Sequence, residues 1–194
     1  DWSSDVCSSD LTPLGLKIGN SLEVEESVEV LAGGGPADVV ELTVELAKEM
    51  LVQAGVHGVD PSENLRNGKA MDKWRQMISA QGGNPDAELP KAKHSHQILA
   101  TESGFVSRLD ALDVGVASWR LGAGRERKED AVQFGAGIEL KVQIGSHIEA
   151  GQPLMTLFTD TEEKFERAIE LASAAVEISA LPVAERKLIL GRIS

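Results

Sequence analysis

Gly104-Phe105-Val106-Ser107-Arg108-Leu109 opens the stretch that decides the fold, which extends to Phe158. Three more runs follow it, at residues 116–121, 136–145 and 151–158. Apolar and polar residues alternate within each run, and glycines separate one run from the next. Because alternation with a period of two is typical of half-buried strands, we predict a small β-module here.

The residues before this module follow a helical period instead. Val24, Val28 and Leu31 lie on one face of a helix that is expected to start at Ser21, with Asn20 as its N-cap. Glycines 33–35 are expected to end this helix, and Pro36 is a favourable residue at the start of the next one.

Two further helices are predicted before residue 84. The second helix carries a broad apolar stripe and is therefore expected to be well buried; the stripe comprises Val39, Thr43, Leu46, Ala47, Met50 and Ala54, widened by Val40, Val44 and Leu51. Asp60 and Glu63 have the spacing of a capping box for the third helical segment, which Asn67-Gly68 interrupts and Gly82-Gly83 ends.

These patterns place the chain in the α+β class, with a helical segment followed by a β-rich, barrel- or sandwich-like domain against which a helix packs. Residues 84–97 are interpreted as a connector, residues 162–178 as the packed helix, and residues 181–194 as a final strand or edge segment. The predicted boundaries are 1–11 for a non-native leader, 12–90 for the helical part and 91–194 for the C-terminal domain. The leader is Ser- and Asp-rich and lacks periodicity.

Composition excludes several classes of function. The formal net charge is −12, which disfavours a partner whose phosphates must be neutralised by Lys and Arg, so no nucleic acid is expected. No apolar run approaches the roughly 18 residues of a membrane span. Cys7 is the only cysteine, and no apolar signal core is present. We therefore expect a soluble, cytoplasmic protein.

Two glycine-rich segments are candidate anion sites. Gly33-Gly34-Gly35-Pro36 precedes a helix, but no Lys-Ser/Thr pair follows it as in a P-loop, which favours a helix connector. Gly122-Ala123-Gly124-Arg125, with Arg127 nearby, combines glycine and arginine but is flanked by acidic residues. A tight β-turn is the better interpretation of the second segment.

The four histidines give little indication of a metal site or a catalytic site. His94 and His96 form an isolated His-x-His without a third ligand at zinc spacing, and His57 and His147 lie in polar contexts typical of the surface. No arrangement of Ser, His and Asp that orients a nucleophile can be recognised. The glutamates at 23–29 are interpreted as a solvated helix face, or as the source of one ligand to a hard cation if the carbonyls of residues 14–17 lie close.

The β-module also resembles carrier domains of the biotinyl and lipoyl type, in which a lysine at an exposed hairpin tip takes the cofactor. Lys141 is instead embedded between Leu140 and Val142 in a strand-like alternation. A swinging-arm carrier is therefore disfavoured.

Several segments, in the right order, resemble the thymidine phosphorylase and pyrimidine-nucleoside phosphorylase family. The resemblance begins with Thr12-Pro13-Leu14-Gly15 and Ile18-Gly19-Asn20-Ser21-Leu22-Glu23-Val24, and it continues through residues 33–46. It also includes Asn67-Gly68-Lys69-Ala70, Gln81-Gly82-Gly83, Gly104-Phe105-Val106, Leu121-Gly122-Ala123-Gly124-Arg125 and residues 145–154. It covers the chain from Thr12 to about Ser194.

This resemblance implies a pentosyltransferase. In the family, phosphate attacks C1′ of a pyrimidine nucleoside and releases the free base and a pentose 1-phosphate. Phosphate is then the co-substrate, a pyrimidine nucleoside is the other ligand, no redox cofactor is needed, and the full-length protein is a homodimer.

The resemblance also implies where the functional groups lie. The family's phosphate- and base-binding residues fall upstream of Thr12, so no catalytic or substrate-binding residue is assigned and the chain alone is expected to be inactive. A monovalent-cation site, for K⁺, falls on the backbone carbonyls of Leu14 and Lys17 and the carboxylate of Glu26. Relatives often have Ala at the middle position, and a backbone ligand tolerates the change to Lys.

Two rival interpretations remain open. The chain is alternatively a non-catalytic binding or assembly module with a carrier-like β-domain. A phosphoribosyltransferase of the anthranilate type shares the upstream domains but lacks the C-terminal β-module, which argues against that reading. Preference between thymidine and uridine is not predicted.

Overall fold

Seven short strands and six helices make up the part of the chain that the computed structural model describes, residues 12–125, 127–184, 187–189 and 191. The strands are β1 (Lys17–Ile18), β2 (His94–Leu99), β3 (Gly104–Leu109), β4 (Gly137–Leu140), β5 (His147–Ile148), β6 (Pro153–Thr159) and β7 (Val176–Ser179). The helices are α1 (Asn20–Leu31), α2 (Ala37–Gln53), α3 (Ser62–Arg66), α4 (Lys69–Ala80), α5 (Ala111–Ser118) and α6 (Phe165–Ala174). The predicted α+β class is confirmed.

Contacts divide the chain into two units. Residues 12–23 and the described residues from Pro90 onward form the first, which we call the sheet unit. Val24–Leu89 form the second, the helical unit, and helix α1 runs through the division between them. The predicted leader, residues 1–11, lies outside the described residues.

Two antiparallel sheets build the sheet unit, with strand orders β1-β4-β6-β2 and β5-β3-β7. Neither sheet closes into a barrel. Strand β6 is central: Leu157 pairs with Ile138 of β4 on one side and with His96 of β2 on the other. Its inward side chains are fully buried, and each such Leu or Met stabilises the fold by roughly 1.5–3 kcal/mol.

Helices α5 and α6 complete this core, to which Val114, Ala117, Ala168 and Ala172 contribute. The prediction of a strand at residues 116–121 is wrong, because α5 and a π-helical turn, Trp119–Ala123, occupy this region. Asp110 caps α5 by accepting a hydrogen bond from the Asp113 N–H at 3.0 Å. A local cap therefore overrides the alternating pattern.

The end of the β-module also differs from the prediction. The predicted helix at 162–178 is shorter: a 3₁₀ turn at Glu162–Lys164 leads into α6, and β7 replaces its last residues. Strand β7 pairs with β3, where Val106 lies opposite Ile178 and Leu109 lies opposite Val176. The expected final strand within residues 181–194 is absent from the described residues of that segment.

The sequence pattern does not predict strand β2. Its His94 and His96 lie in the segment interpreted as a connector, where polar residues dominate the sequence. As an edge strand it exposes most of its side chains, and Ile98 alone among its residues is buried. An edge position explains why the alternation is weak.

Helix ends in the helical unit follow the prediction closely, whereas burial does not. Helix α2 starts after Pro36, and Asn67-Gly68 separates α3 from α4. The expectation that α2 is well buried is wrong, because α2 contains no buried residue. Leu46 and Met50, from the predicted inner stripe, are 56% and 72% exposed.

Candidate functional site

The turn that leads into α1 is anchored in the sheet unit. Gly15 adopts φ of 72°, and after it Leu16 accepts a hydrogen bond from the Leu140 N–H at 2.7 Å. Lys17 then lies opposite Glu139 in the antiparallel ladder between β1 and β4. Since alternate residues of an antiparallel strand face the partner, the Leu16 carbonyl faces β4 and the Lys17 carbonyl points to the opposite edge of β1.

The first turn of α1 is tied to the segment before β4. The Ser21 hydroxyl, 7% exposed, lies within hydrogen-bond distance of the carbonyls of Phe134 (2.7 Å) and Pro90 (2.8 Å). Gly19 permits the approach, because its φ is +134° and a Cβ there would lie 2.5 Å from the Ala136 carbonyl oxygen. These contacts fix the start of the helix against the sheet.

Asn20 does not act as the expected N-cap. It is the first residue of α1, and its side-chain amide donates to the Ala123 carbonyl at 2.7 Å. The Glu23 carboxylate instead accepts the Gly19 N–H at 2.9 Å and so satisfies a backbone donor at the start of the helix. Asn20 therefore links the helix start to the π-helical turn.

The three residues of the predicted cation site are distributed over both units. Leu14 and Lys17 belong to the sheet unit, whereas Glu26 lies beyond the division, on α1. Glu26 is 6% exposed, which is uncommon for a carboxylate and shows that it does not belong to a solvated face. Within the described residues, no group of three or more His, Cys, Asp or Glu side chains is placed to hold a metal ion. The assignment to these three residues stays a prediction.

The second glycine-rich segment, after Trp119, lies beside a cleft in the sheet unit. Gly122 has φ of +109°, and its carbonyl accepts the Gln133 N–H at 2.9 Å. The Trp119 indole N–H donates to the Arg125 carbonyl at 2.9 Å, and the Arg120 guanidinium lies 4.6 Å from the centre of the same ring system. A π-helical turn thus replaces the expected β-turn.

The cleft has a volume of about 420 Å³ and carries both signs of charge. Its lining residues are Trp119, Arg120, Gly124, Asp130, Ala131, Glu163, Lys164, Glu166 and Arg167. Three cationic and three acidic side chains offset one another, so the cleft has no preference for an anion.

The first glycine-rich segment is confirmed as a helix connector. The N–H groups of Gly33 and Gly34 donate to the carbonyls of Val30 and Glu29, each at 2.9 Å, and thereby cap the end of α1. Amides that are used in this way are not available to cradle a phosphate.

The remaining candidates have structural roles. The His96 ring packs against Phe165 with centroids 5.8 Å apart, and the His147 ring packs edge-on against Phe105 at 4.9 Å. Lys141 follows β4, and its Nζ lies 2.7 Å from Glu139 Oε1. Since its N–H continues the pairing with β6 through Leu154, Lys141 does not stand at a hairpin tip.

An ionic cluster joins β3, α5 and β7. The Arg108 guanidinium lies 2.9 Å from Asp110, 3.5 Å from Asp113 and 3.4 Å from Glu177. The backbone N–H of Asp113 is the main cause of the lowered pKa of the Asp110 carboxyl, and Arg108 adds to it. The hydrogen bond to Asp110 likewise raises the pKa of Arg108.

Gln133 is a residue that the sequence pattern did not indicate. Its side-chain carbonyl accepts the Asp160 N–H at 2.7 Å, and its amide donates to the Thr161 hydroxyl at 2.8 Å. Together with its backbone bond to Gly122, these contacts join the π-helical turn to the end of β6. No local signal predicts such long-range pairing.

Comparison with known proteins adds to this geometry. Residues 105–179 match the pyrimidine nucleoside phosphorylase C-terminal domain family. Over 181 residues the chain is 48% identical to the thymidine phosphorylase of Mycobacterium tuberculosis H37Rv, covering 93% of this chain and 42% of that protein. The pyrimidine-nucleoside phosphorylase of Bacillus subtilis 168 is 39% identical over 161 residues, which cover 77% of this chain and 37% of that protein.

A third relative is the pyrimidine-nucleoside phosphorylase of Staphylococcus aureus NCTC 8325, which is 35% identical over 181 residues, 84% of this chain and 42% of that protein. The chain thus spans about two fifths of the length of these relatives. Of the described helices, none is both long and apolar enough to cross a membrane.

Proposed function

Because residues 105–179 belong to the pyrimidine nucleoside phosphorylase C-terminal domain family, we propose that this chain is part of a pyrimidine-nucleoside (thymidine) phosphorylase. The reaction is the reversible phosphorolysis of thymidine- or uridine-type nucleosides. A phosphate oxygen forms a bond to C1′, the bond from C1′ to the base nitrogen breaks, and the base leaves with the electron pair and takes up a proton. The products are the free base and a (deoxy)ribose 1-phosphate.

The extent of the similarity is the observation that carries this proposal. A match over 93% of the chain cannot be confined to residues 105–179, so it includes the helical unit and the turn before α1. If only the C-terminal β-module were shared with the phosphorylases, the match would be confined to the sheet unit. The continuous match favours a phosphorylase over an unrelated protein that borrowed the β-module.

The described residues suit a supporting role in this chemistry. The cleft and the ionic cluster of the sheet unit hold charges of both signs, and Gln133 and Arg108 make structural hydrogen bonds there. Phosphate and a departing pyrimidine anion need converging donors and positive charge. We therefore assign binding of both substrates to the rest of the phosphorylase and expect the isolated chain to be inactive.

A monovalent cation such as K⁺ is part of the proposal, held by the carbonyls of Leu14 and Lys17 and the carboxylate of Glu26. Three oxygen ligands, two of them neutral, suit a hard cation of low charge. The low exposure of Glu26 and the direction of the Lys17 carbonyl, away from β4, support this assignment. The cation would order the turn before α1; it would not act on the substrate.

The proposal also includes the compartment and the oligomeric state of the enzyme. We expect a cytoplasmic homodimer, because the single cysteine fits a reducing compartment and the family resemblance implies a dimer. Preference between thymidine and uridine belongs to the substrate site and is left to experiment.

The test is a phosphorolysis assay with the gene product that contains this chain. Thymidine and uridine are each incubated with inorganic phosphate, and base release is followed by the change in ultraviolet absorbance. Release that requires phosphate supports the proposal. Absence of activity on both nucleosides refutes it and leaves the non-catalytic assembly module as the better reading.

A further inference from the structure

The cleft beside the π-helical turn contains charged side chains that have no ionic partner in the described part of the chain. No carboxylate of the described residues lies within ion-pair distance of Lys164 or Arg167, and no cation of the described residues pairs with Glu163 or Glu166. All four lie at the start of α6 or in the 3₁₀ turn before it. Because residues three or four apart are neighbours on a helix surface, hydrogen-bond donors and acceptors lie side by side in the cleft.

Lys164 is held at the wall of this cleft. It is half-buried, and a Cβ on Gly122 would lie only 3.1 Å from its Nζ. The missing side chain of Gly122 therefore leaves room for the ammonium group against the π-helical turn. A lysine that is fixed in this way loses less side-chain entropy on binding a ligand than one that extends into solvent.

Trp119 and Arg120 give the cleft two flat surfaces. The indole N–H of Trp119 is already used by the Arg125 carbonyl, so the ring offers its π surface and not a donor. The Arg120 guanidinium lies 4.6 Å from the centre of that ring. Indole rings and guanidinium planes are the protein groups on which planar heterocycles stack.

These features together select a class of ligand. The charges of the cleft offset one another, so an uncharged ligand is favoured over an anion. The unpaired donors and acceptors require a ligand with both kinds of group on its edge, and the flat surfaces require a planar ring. Uracil and thymine meet each condition, because their N3–H donor lies between two carbonyl acceptors. A cleft of about 420 Å³ is large enough for one such ring.

We propose that this cleft binds a free pyrimidine base of the uracil or thymine type. The ring stacks on Trp119, Lys164 and Arg167 donate to its carbonyl oxygens, and a carboxylate of Glu163 or Glu166 accepts its N3–H. The inference rests on the proposed function, since phosphorolysis of a pyrimidine nucleoside releases such a base. The cleft thereby responds to accumulation of the product.

Two other ligand chemistries fit the cleft less well. A small zwitterion such as glycine matches charges of both signs but has no ring to stack on Trp119. Inorganic phosphate can bind Lys164 and Arg167, but the unpaired carboxylates beside them repel it. Both compounds therefore serve as comparison ligands.

The experiment is a titration of the ¹⁵N-labelled 194-residue chain, followed by NMR of the tryptophan indole N–H groups. The chain has three tryptophans, and Trp119→Phe identifies the signal of Trp119. Trp2 and Trp74 provide internal references. Thymine, uracil, 3-methylthymine, glycine and inorganic phosphate are each added up to about 10 mM, a range that detects dissociation constants near 1 mM.

The binding variant is Lys164→Met, which keeps the apolar stem of the side chain and removes the ammonium group. Its matched control is Lys93→Met, which makes the same change at an exposed residue of the sheet unit outside the cleft. The backbone amide spectrum of each variant should match that of the parent, which shows that the fold is kept.

Thymine and uracil should shift the Trp119 signal saturably and leave those of Trp2 and Trp74 in place. Lys164→Met should weaken binding about tenfold, whereas Lys93→Met should leave it within about twofold. Methylation of N3 removes the donor to the carboxylate, so 3-methylthymine should bind at least about fivefold more weakly than thymine.

Three outcomes would overturn the inference: no shift of the Trp119 signal with thymine or uracil, an equal response to glycine or phosphate, or equal losses in the two variants. The outcomes also distinguish this inference from the proposed function. Binding of thymine by the chain, without phosphorolysis by the gene product that contains it, refutes the function and keeps the base site. Phosphorolysis without a response at Trp119 refutes the base site alone.

Discussion

The Thr159 hydroxyl donates a hydrogen bond to the Leu121 carbonyl across 2.7 Å in the core of the sheet unit. Leu121 lies in the π-helical turn, where the regular helical bonding pattern is lost. Gln133 extends the contact, because its side-chain oxygen lies 3.0 Å from the same hydroxyl and its N–H donates to Gly122. Thr159, at the end of β6, thus anchors the π-helical turn, a region for which the sequence pattern predicts a strand.

Removing this hydroxyl should therefore destabilise the sheet unit. Thr159→Val keeps the shape but leaves the buried Leu121 carbonyl without its donor, and we expect a loss of about 2 kcal/mol in the free energy of unfolding. Thr156→Val makes the same change on the same strand outside this cluster and should cost less than about 1 kcal/mol. Urea denaturation measures both, and equal losses would contradict the role given to Thr159.

Gly19 should not tolerate a side chain. Gly19→Ala combines an unfavourable positive φ with a collision against the Ala136 carbonyl, and we expect it to destabilise the fold by about 3 kcal/mol. Gly115→Ala is the control, because an added Cβ meets no atom within 4 Å there and Gly115 lies inside α5. The control should gain roughly 0.5–1 kcal/mol in thermal or urea unfolding. A neutral Gly19→Ala would show that the α1 start does not press against the segment before β4.

Asp110 should make stability depend on acid pH. Its pKa is lowered in the folded chain, mainly by the Asp113 N–H, so its contribution is complete above the unfolded pKa of about 3.9 and is lost as pH falls through the lower folded value. Asp110→Asn keeps the acceptor for the Asp113 N–H and removes the titration. Unfolding free energies from pH 7 down to pH 2 should fall less steeply for the variant. A variant as sensitive to acid as the parent would rule out this linkage.

Potassium should stabilise the chain through Glu26. Replacing tetramethylammonium chloride with KCl at equal ionic strength should raise Tm, by roughly 2–4 °C for each kcal/mol of binding free energy. Glu26→Gln should remove the increase, whereas Glu25→Gln, which changes the exposed neighbouring carboxylate, should preserve it. Differential scanning calorimetry provides the measurement, and an equal response from both variants would place the cation elsewhere.

Sequence patterns predicted the helix ends well, because Pro36, Asn67-Gly68 and the glycines near residues 33 and 82 act locally. They failed where long-range contacts decide the structure. Residues 116–121 alternate like a strand, but the Asp110 cap and the Thr159 and Gln133 bonds impose helical geometry. Burial of α2 could not be predicted correctly, because an apolar stripe does not reveal how much of its surface other elements cover. The proposed cation site, which nothing in the described residues tests, would use two backbone carbonyls, and no side-chain pattern encodes such ligands.

The most direct test of the central claim is phosphorus NMR of the reaction with thymidine and inorganic phosphate. The gene product that contains this chain should convert inorganic phosphate to 2-deoxyribose 1-phosphate, with one thymine released for each phosphate ester formed, and the isolated 194-residue chain should show no conversion. Release of thymine without a sugar phosphate would reveal hydrolysis, and no product from either thymidine or uridine would contradict assignment to a pyrimidine-nucleoside phosphorylase.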